Sequence, residues 1–216
     1  IDRAVIGRPV FFVDDDPRRD AKAQQTLFES AHAAGITHVE FQFEPIAAAL
    51  DYESRLRASD GERLVLVADI GGGTSDFSVV RASEAAHGLA DRRADILANH
   101  GLHLAGTDFD RAVNLAKIMP VLGLNGDGPG GRPVPSKVYF ELATWHLIHT
   151  TYVPNRLIEL RMMRNMYNDQ RAHQRLMRVL TQHRGHDLAA RAEAAKIAVS
   201  ESGKSIIELG FIEPGL

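Results

Sequence analysis

The hydrophobic pattern changes period repeatedly in the N-terminal part of the chain, and each change predicts an element. Ala4-Val5-Ile6-Gly7-Arg8-Pro9-Val10-Phe11-Phe12-Val13 is a β-rich apolar run, interrupted by Gly-Arg-Pro and closed by Asp14-Asp15-Asp16-Pro17. Proline cannot donate to a ladder, so Pro9 predicts a strand end and a kink or turn. From Asp20 the spacing turns helical, with Leu27, Phe28 and Ala31 on one side and Gly35 placed as the C-terminal stop. Val39, Phe41 and Phe43 then alternate with His38, Glu40 and Gln42, a strand of period two. Glu44 stands at its end, before Pro45 at a first helical position and the helix-forming run Ile46-Ala47-Ala48-Ala49-Leu50. Strand, helix, strand, helix in this order predicts α/β architecture with parallel pairing.

Ala58 to Arg63 is polar and turn-like, a hinge between lobes in this reading. Leu64-Val65-Leu66-Val67-Ala68 is apolar at every position and predicts a central strand. It runs into Asp69-Ile70-Gly71-Gly72-Gly73-Thr74-Ser75-Asp76, after which Phe77-Ser78-Val79-Val80-Arg81 reads as strand again, so the whole predicts a hairpin. Ile96 to Leu104 predicts a further strand, and Ala105-Gly106-Thr107-Asp108 a turn capping a helix from Phe109 to Met119. The glycines and prolines of Asn125 to Pro133 mark a loop. Ser136 to His183 is largely helical, a second helix covers Leu188 to Glu201, and Ser205-Ile206-Ile207-Glu208-Leu209 reads as a strand with nothing to pair with.

Composition narrows the picture little. The 216 residues are 44% hydrophobic and 25% charged with no cysteine, which excludes collagen-like repeats, a disulfide-stapled scaffold and a wholly disordered chain. A net charge of −3 supplies no global field for nucleic acid or anionic membrane, and no apolar run reaches the roughly 18 residues of a membrane span, so a cytoplasmic setting is expected. Asn155 to Arg191 carries a local charge of +5, spread along helices with apolar seams, and is expected to be a solvated face rather than an RNA site. His100 with His103 and His146 with His149 have i, i+3 spacing but no obvious third ligand, so packed or solvated imidazoles are expected. The chain opens on Ile1 in strand-like sequence, and the expectation is a piece of a larger protein.

The stretch from Asp69 to Asp76 concentrates the chemistry. Three successive glycines let backbone N–H groups approach an anion closely, at φ values that other residues resist, so the turn can cradle phosphate. Thr74 offers a hydroxyl to a terminal phosphate, and Asp69 and Asp76 can hold Mg²⁺ through its waters. It is not a Walker A loop, because no Lys-Ser/Thr follows the glycines and a strand follows where a P-loop needs a helix. An acidic, glycine-rich hairpin turn without a ligand is the alternative reading of the same residues.

Asp69 to Asp76 closely resembles the second phosphate motif of the Hsp70 branch of the actin, sugar-kinase and Hsp70 ATPase superfamily, Asp-Leu/Ile-Gly-Gly-Gly-Thr-x-Asp. Upstream, Glu44-Pro45-Ile46-Ala47-Ala48-Ala49-Leu50-Asp51-Tyr52 is similar to that family's Glu-Pro-Thr-Ala-Ala-Ala-Leu-x-Tyr. Downstream, His103-Leu104-Ala105-Gly106-Thr107-Asp108-Phe109-Asp110 resembles His-Leu-Gly-Gly-Glu-Asp-Phe-Asp, and Glu193-Ala194-Ala195-Lys196-Ile197-Ala198-Val199-Ser200 resembles the helix that packs on adenosine. The divergent bacterial YegD-like group is the suggested branch. The resemblance implies a partial actin-like (ribonuclease H-like) α/β fold: the rear of lobe I over 1–62, the lobe II core with its phosphate hairpin over 63–104, and a helical part over 105–216 with an insertion at about 120–187.

It also implies roles. Glu44 would orient the attacking water or a cation, Asp69 and Asp76 would position Mg²⁺ waters and the nucleophile, and Gly71, Gly72, Gly73 and Thr74 would bind phosphate. Gly106 would approach the ribose, while Glu193, Lys196 and Ser200 would line the base pocket from one helical face. Pro9 would couple the nucleotide site to domain movement. The implied ligands are ATP or ADP with Mg²⁺, and the implied partners are client proteins or co-chaperones. Ile197 stands where the family stacks an Arg on adenine, Thr107 where it has Glu, and Gln24 where its interlobe relay Arg falls. No Asp-x-Gly-Thr first phosphate loop occurs, so the chain is expected to supply about half of a closed site. A non-catalytic interaction module and another superfamily member, such as a sugar kinase, are the rival readings.

Overall fold

The computed structural model describes every residue except Asp14 and Ala90, together with the side chain of all of these but Ala58. Asp14, part of the acidic turn expected after the first strand, therefore lies outside the described residues. The chain forms two compact units, Ile1–His103 and Leu104–Leu216.

In the first unit, strand β1 (Arg3–Arg8) pairs in parallel with β2 (His38–Phe43), Arg3 opposite His38 and Arg8 opposite Phe43. Helix α1 (Pro17–Ala33) makes the crossover that parallel pairing requires. Its start follows from Pro17 at the first helical position and from the Asp16 carboxylate, which accepts from the N–H groups of Arg18 and Arg19 at 3.2 and 3.0 Å. Past its end Gly35 takes a φ of +92°, which glycine adopts without penalty. β1 stops at Pro9 as expected, and the buried Arg8 guanidinium knits this end together. It pairs with Asp20 at 3.1 Å, donates to the carbonyls of Pro9 and Val10 and to the Gln24 side chain, and lies 5.0 Å from the ring centres of Phe12 and Phe43. Burial pushes the Asp20 carboxyl up, but the Phe12 N–H and Arg8 outweigh it and hold it below its ordinary value.

Helix α2 (Glu44–Glu53) follows β2 directly and lies on a three-stranded antiparallel sheet of β3 (Arg63–Ile70), β4 (Ser75–Ala82) and β5 (Ile96–Leu102), in the order β3-β4-β5. Ile46 and Ala49 of α2 are buried against Val80, with Phe43, Val67 and Ile96 around them. Burying one such isoleucine contributes about 2 kcal/mol. At the far end of α2 the Glu53 carboxylate, fully buried, meets Arg92 through both oxygens at 2.8 and 2.9 Å. Removing one partner of such a pair strands a charge in a dry site and costs about 3–5 kcal/mol.

The structure corrects the reading of β3. It is an edge strand and β4 is the central one, since β4 pairs on both sides. Leu64, Leu66 and Ile70 are 64–68% exposed on one face, while Val67 on the other joins the contact with α2. An unbroken apolar run thus does not by itself say that a strand is flanked on both sides. Ala58–Asp60, in the polar stretch before β3, is a single 3₁₀ turn.

The second unit is helical: α3 (Gly106–Val113), α4 (Lys137–Ala143), α5 (Pro154–Met162), α6 (Gln170–Thr181) and α7 (Gly185–Ser202), with a 3₁₀ segment over Trp145–Tyr152. The expected Phe109–Met119 helix starts earlier, at Gly106, and leaves the α form sooner. It widens to a π-turn at Asn114–Ile118 and then tightens to a 3₁₀ turn, because Pro120 has no N–H to continue the ladder. Tyr139, Leu142, Ile148, Leu176, Leu180, Leu188 and Ile212 form a fully buried core. Tyr139 donates to the Leu122 carbonyl at 3.0 Å and bonds Tyr167 at 3.0 Å, and burial first, then Tyr167, pushes its phenol above its ordinary value. Gly123, at φ +115°, leaves the space that the Tyr139 hydroxyl occupies, for a Cβ there would sit 2.8 Å from it.

Two further expectations are corrected here. Ser205 to Leu209 forms no strand; it runs into a turn in which the Leu209 N–H donates to the Leu216 carbonyl at 2.9 Å, and Leu209 and Ile212 close the core. The arginines of Asn155 to Arg191 are also not simply a solvated face. Arg171 and Arg175 grip Glu213, Arg178 donates to the Ile212 carbonyl, Arg184 lies 4.8 Å over the Phe211 ring, and Arg156 bridges Glu141 and Glu159. Much of the local positive charge holds the C-terminal segment onto α6. Among the described residues no helix is long and apolar enough to cross a membrane.

The two arginines hold Glu213 down to about 2, from an ordinary 4.5. A carboxyl with a lowered folded-state pKa stabilises fully above its unfolded value and loses that contribution as pH falls. Thermal unfolding of Glu213→Gln beside the parent should show a deficit at pH 6 that shrinks below pH 4.5 and vanishes near pH 2.

Candidate functional site

The geometry of the hairpin follows from its register. Asp69 and Asp76 are direct cross-strand partners, one pair before the turn, so their side chains leave the sheet on the same face. That face is the one α2 covers. Glu44, the first residue of α2, is delivered there because β2 passes into the helix without a loop and Pro45 sets the first turn. Pro9, Val10, Glu44, Pro45, Val67, Asp69, Asp76, Ser78 and Asn99 line one small recess.

Like charges directly opposite one another repel, and the recess shows the effect. Partial desolvation, then the charges of Asp69 and Asp76, push the Glu44 carboxyl above its ordinary value. Among the described residues no Lys or Arg forms an ion pair with any of the three. Nor, among those residues, do three His, Cys, Asp or Glu side chains come close enough to ligate a metal directly. An unneutralised trio of carboxylates of this kind fits a cation that keeps its water shell, as Mg²⁺ does.

The turn differs from expectation in one respect. Gly71 and Gly73 do not take left-handed φ values; what they supply is room. A Cβ on Gly73 would meet nothing within 4 Å, and the Gly71 N–H closes the turn onto the Thr74 carbonyl at 2.9 Å. Gly72 and Thr74 complete the same turn between β3 and β4.

Residues that the sequence reading did not single out complete the recess. Gly101 of β5 pairs with Asp76, and a Cβ there would stand 2.9 Å from the Asp76 carboxylate. A Cβ on Gly7 would come within 3.4 Å of the Glu44 carboxylate. The buried Ser78 hydroxyl donates to Asn99 Oδ1 at 2.7 Å and ties β4 to β5. A glycine inside a strand pattern is a signal of close approach, and both glycines carry it. Gln24, where a relay arginine was expected, instead accepts from Arg8, the neighbour of Pro9.

In the second unit Lys196 of α7 reaches the start of α3, pairing with Asp110 at 2.8 Å and donating to the Gly106 carbonyl at 3.3 Å. Glu193 lines a different cavity, of about 340 Å³, with Asp108, Asp110, Asn114, Trp145 and His186. Lys196 borders an apolar cavity of about 820 Å³ with Phe109, Val199 and Ile207. The Ser200 hydroxyl turns back to the Ile197 carbonyl at 2.7 Å. The structure thus joins Lys196 to Gly106, while Glu193 and Lys196 line different cavities and the Ser200 hydroxyl bonds its own helix.

The crowding of the three carboxylates has a measurable sign. A carboxyl whose folded-state pKa is raised favours folding below its unfolded value and opposes it as pH rises through the folded value. Glu44→Gln should therefore raise the thermal midpoint at pH 7, with the gain disappearing toward pH 4, as scanning calorimetry would record.

A family model described as Hsp70 protein matches residues 1–117, which takes in both sheets, α1, α2, the glycine turn and α3. That match covers more than half of the 216 residues and brings with it the actin-like ATPase fold, so the chain belongs to the Hsp70 family.

Proposed function

We propose that this chain contributes the phosphate-binding hairpin of a site that binds and hydrolyses Mg-ATP. The observation that carries the reading is the convergence of Glu44, Asp69 and Asp76 on the recess beside the glycine turn. Gly71, Gly72 and Gly73 would let the backbone of the turn, closed by the Gly71 N–H on the Thr74 carbonyl, come close to the phosphates, and Thr74 would add a hydroxyl. Asp69 and Asp76 would hold the water shell of Mg²⁺, and Glu44 would orient the attacking water. When bound, the metal supplies charge neutralisation at the transferring phosphoryl group. Positioning and charge stabilisation suffice for this chemistry, and no covalent nucleophile is needed.

Gly106, Glu193, Lys196 and Ser200 are assigned to the nucleoside end and Pro9 to interlobe coupling; the Lys196 to Gly106 bond supports the link between α7 and the start of α3. We assign the chain to the divergent YegD-like branch because, outside the four motifs, it has no close match to the usual family pattern. A chaperone ATPase of that kind would work on client proteins with co-chaperones.

The test is Mg²⁺-dependent ATP hydrolysis by the complete protein that contains this sequence. Asp76→Asn and Thr74→Ala should each lower kcat about 100-fold, the scale of losing one preorganised transition-state group. Hydrolysis that is absent in the parent, or unaltered by both substitutions, overturns the reading and favours a non-catalytic interaction module.

A further inference from the structure

Glu53 and Arg92 stand 39 positions apart and are buried to within 1% of complete exclusion from solvent. The two ends of the Arg92 fork meet the two Glu53 oxygens at 2.8 and 2.9 Å. The remaining donors are used as well: Nη2 reaches the Arg81 carbonyl at 3.0 Å, Nη1 the Ala86 carbonyl at 3.2 Å, and Nε the Asp95 carboxylate. The Ser83 N–H donates to Glu53 at 3.3 Å. Every strong donor of a rigid planar group is therefore committed, which fixes direction as well as distance.

The elements joined are informative. Glu53 ends α2, the helix that begins at Glu44, while Arg92 lies in the connection between β4 and β5 and bonds the Arg81 carbonyl near the end of β4. Between them α2 touches the sheet through small or branched apolar residues, Ile46 and Ala49 on Val80. Apolar contact of that sort sets distance but resists sliding and rotation weakly. Glu44, meanwhile, shares its recess with Asp69 and Asp76 and has no ion-pair partner among the described residues. The buried fork is a directional contact between α2 and the β4–β5 connection, at the opposite end of the helix from Glu44.

We propose that Glu53 and Arg92 are positioning residues for hydrolysis, a clamp at one end of α2 that keeps Glu44 at the other end aimed at Asp69 and Asp76. The inference rests on the hydrolytic reading of the hairpin recess. A clamp acting through Glu44 predicts non-additivity: once Glu44 has lost its function, loosening the clamp has nothing left to impair.

The experiment is a double-mutant cycle on Mg-ATP hydrolysis in the complete protein. Glu53→Gln should lower kcat about tenfold or more with KM changed less than about twofold, since misplacement by a fraction of an ångström acts on the reacting geometry. In a Glu44→Gln background the same substitution should change kcat less than about twofold, while the fall in thermal midpoint is the same in both backgrounds. Arg92→Lys, which keeps the buried charge and loses the fork, is read in the same way. An equal loss of kcat in both backgrounds, or a rise in KM with kcat unchanged, overturns the positioning role. Failure of both variants to fold also overturns it, because the pair is then a requirement of the fold alone. Glu44→Gln by itself separates this inference from its premise: unchanged kcat there overturns the hydrolytic reading, whereas a loss there with an additive cycle overturns only the clamp.

Discussion

Seating helix α2 on the β3-β4-β5 sheet is the contact on which the rest of the first unit depends. It joins the parallel β1–β2 pair, which α2 continues, to the antiparallel hairpin sheet that it covers. It also puts three carboxylates in one recess, where partial desolvation and then the charges of Asp69 and Asp76 push the Glu44 carboxyl up. The scaffold has two kinds of stiffness. Ile46 and Ala49 provide burial against Val80, and the Glu53 to Arg92 fork provides direction. At the other side Arg8 ties Pro9, α1 and Phe43 together, and so fixes the strand ends from which Glu44 and Pro9 enter the recess.

The second unit solves a different problem. Its core is apolar with one buried phenol pair, and its irregular C-terminal segment is secured by charge rather than by a ladder. Arg171 and Arg175 on α6 hold Glu213, and the Arg178 guanidinium takes the Ile212 carbonyl. Positive charge that on paper looks available to an acidic partner is in large part spent inside the fold.

Period and punctuation made most of the first unit legible. Pro9, Gly35, Pro45 and the glycine turn marked boundaries through backbone rules that act locally, and the structure follows them. The candidate site was legible for the same reason, since Asp69 and Asp76 flank one turn and a hairpin register must pair them. What escaped depends on residues far apart in the chain. Nothing near Leu64 says which strand lies beside it, so the apolar run could not reveal that β3 is an edge. Arg92 and Glu53, or Arg175 and Glu213, look like ordinary surface charges until folding brings them together. Glycine type alone likewise did not separate two uses, a left-handed backbone at Gly123 and open space at Gly73.

In the proposed function, a nucleotide brings a hydrated divalent cation to the recess of Glu44, Asp69 and Asp76. Manganese can replace magnesium and broadens nuclear resonances near it, so NMR spectra of the complete protein with Mn²⁺, with and without ADP, test that claim directly. The amides of Gly71 to Asp76, with those of Glu44 and Gly101, should broaden when metal and nucleotide are present together and not with metal alone. Broadening centred on other carboxylates, or the same pattern with and without nucleotide, would contradict it.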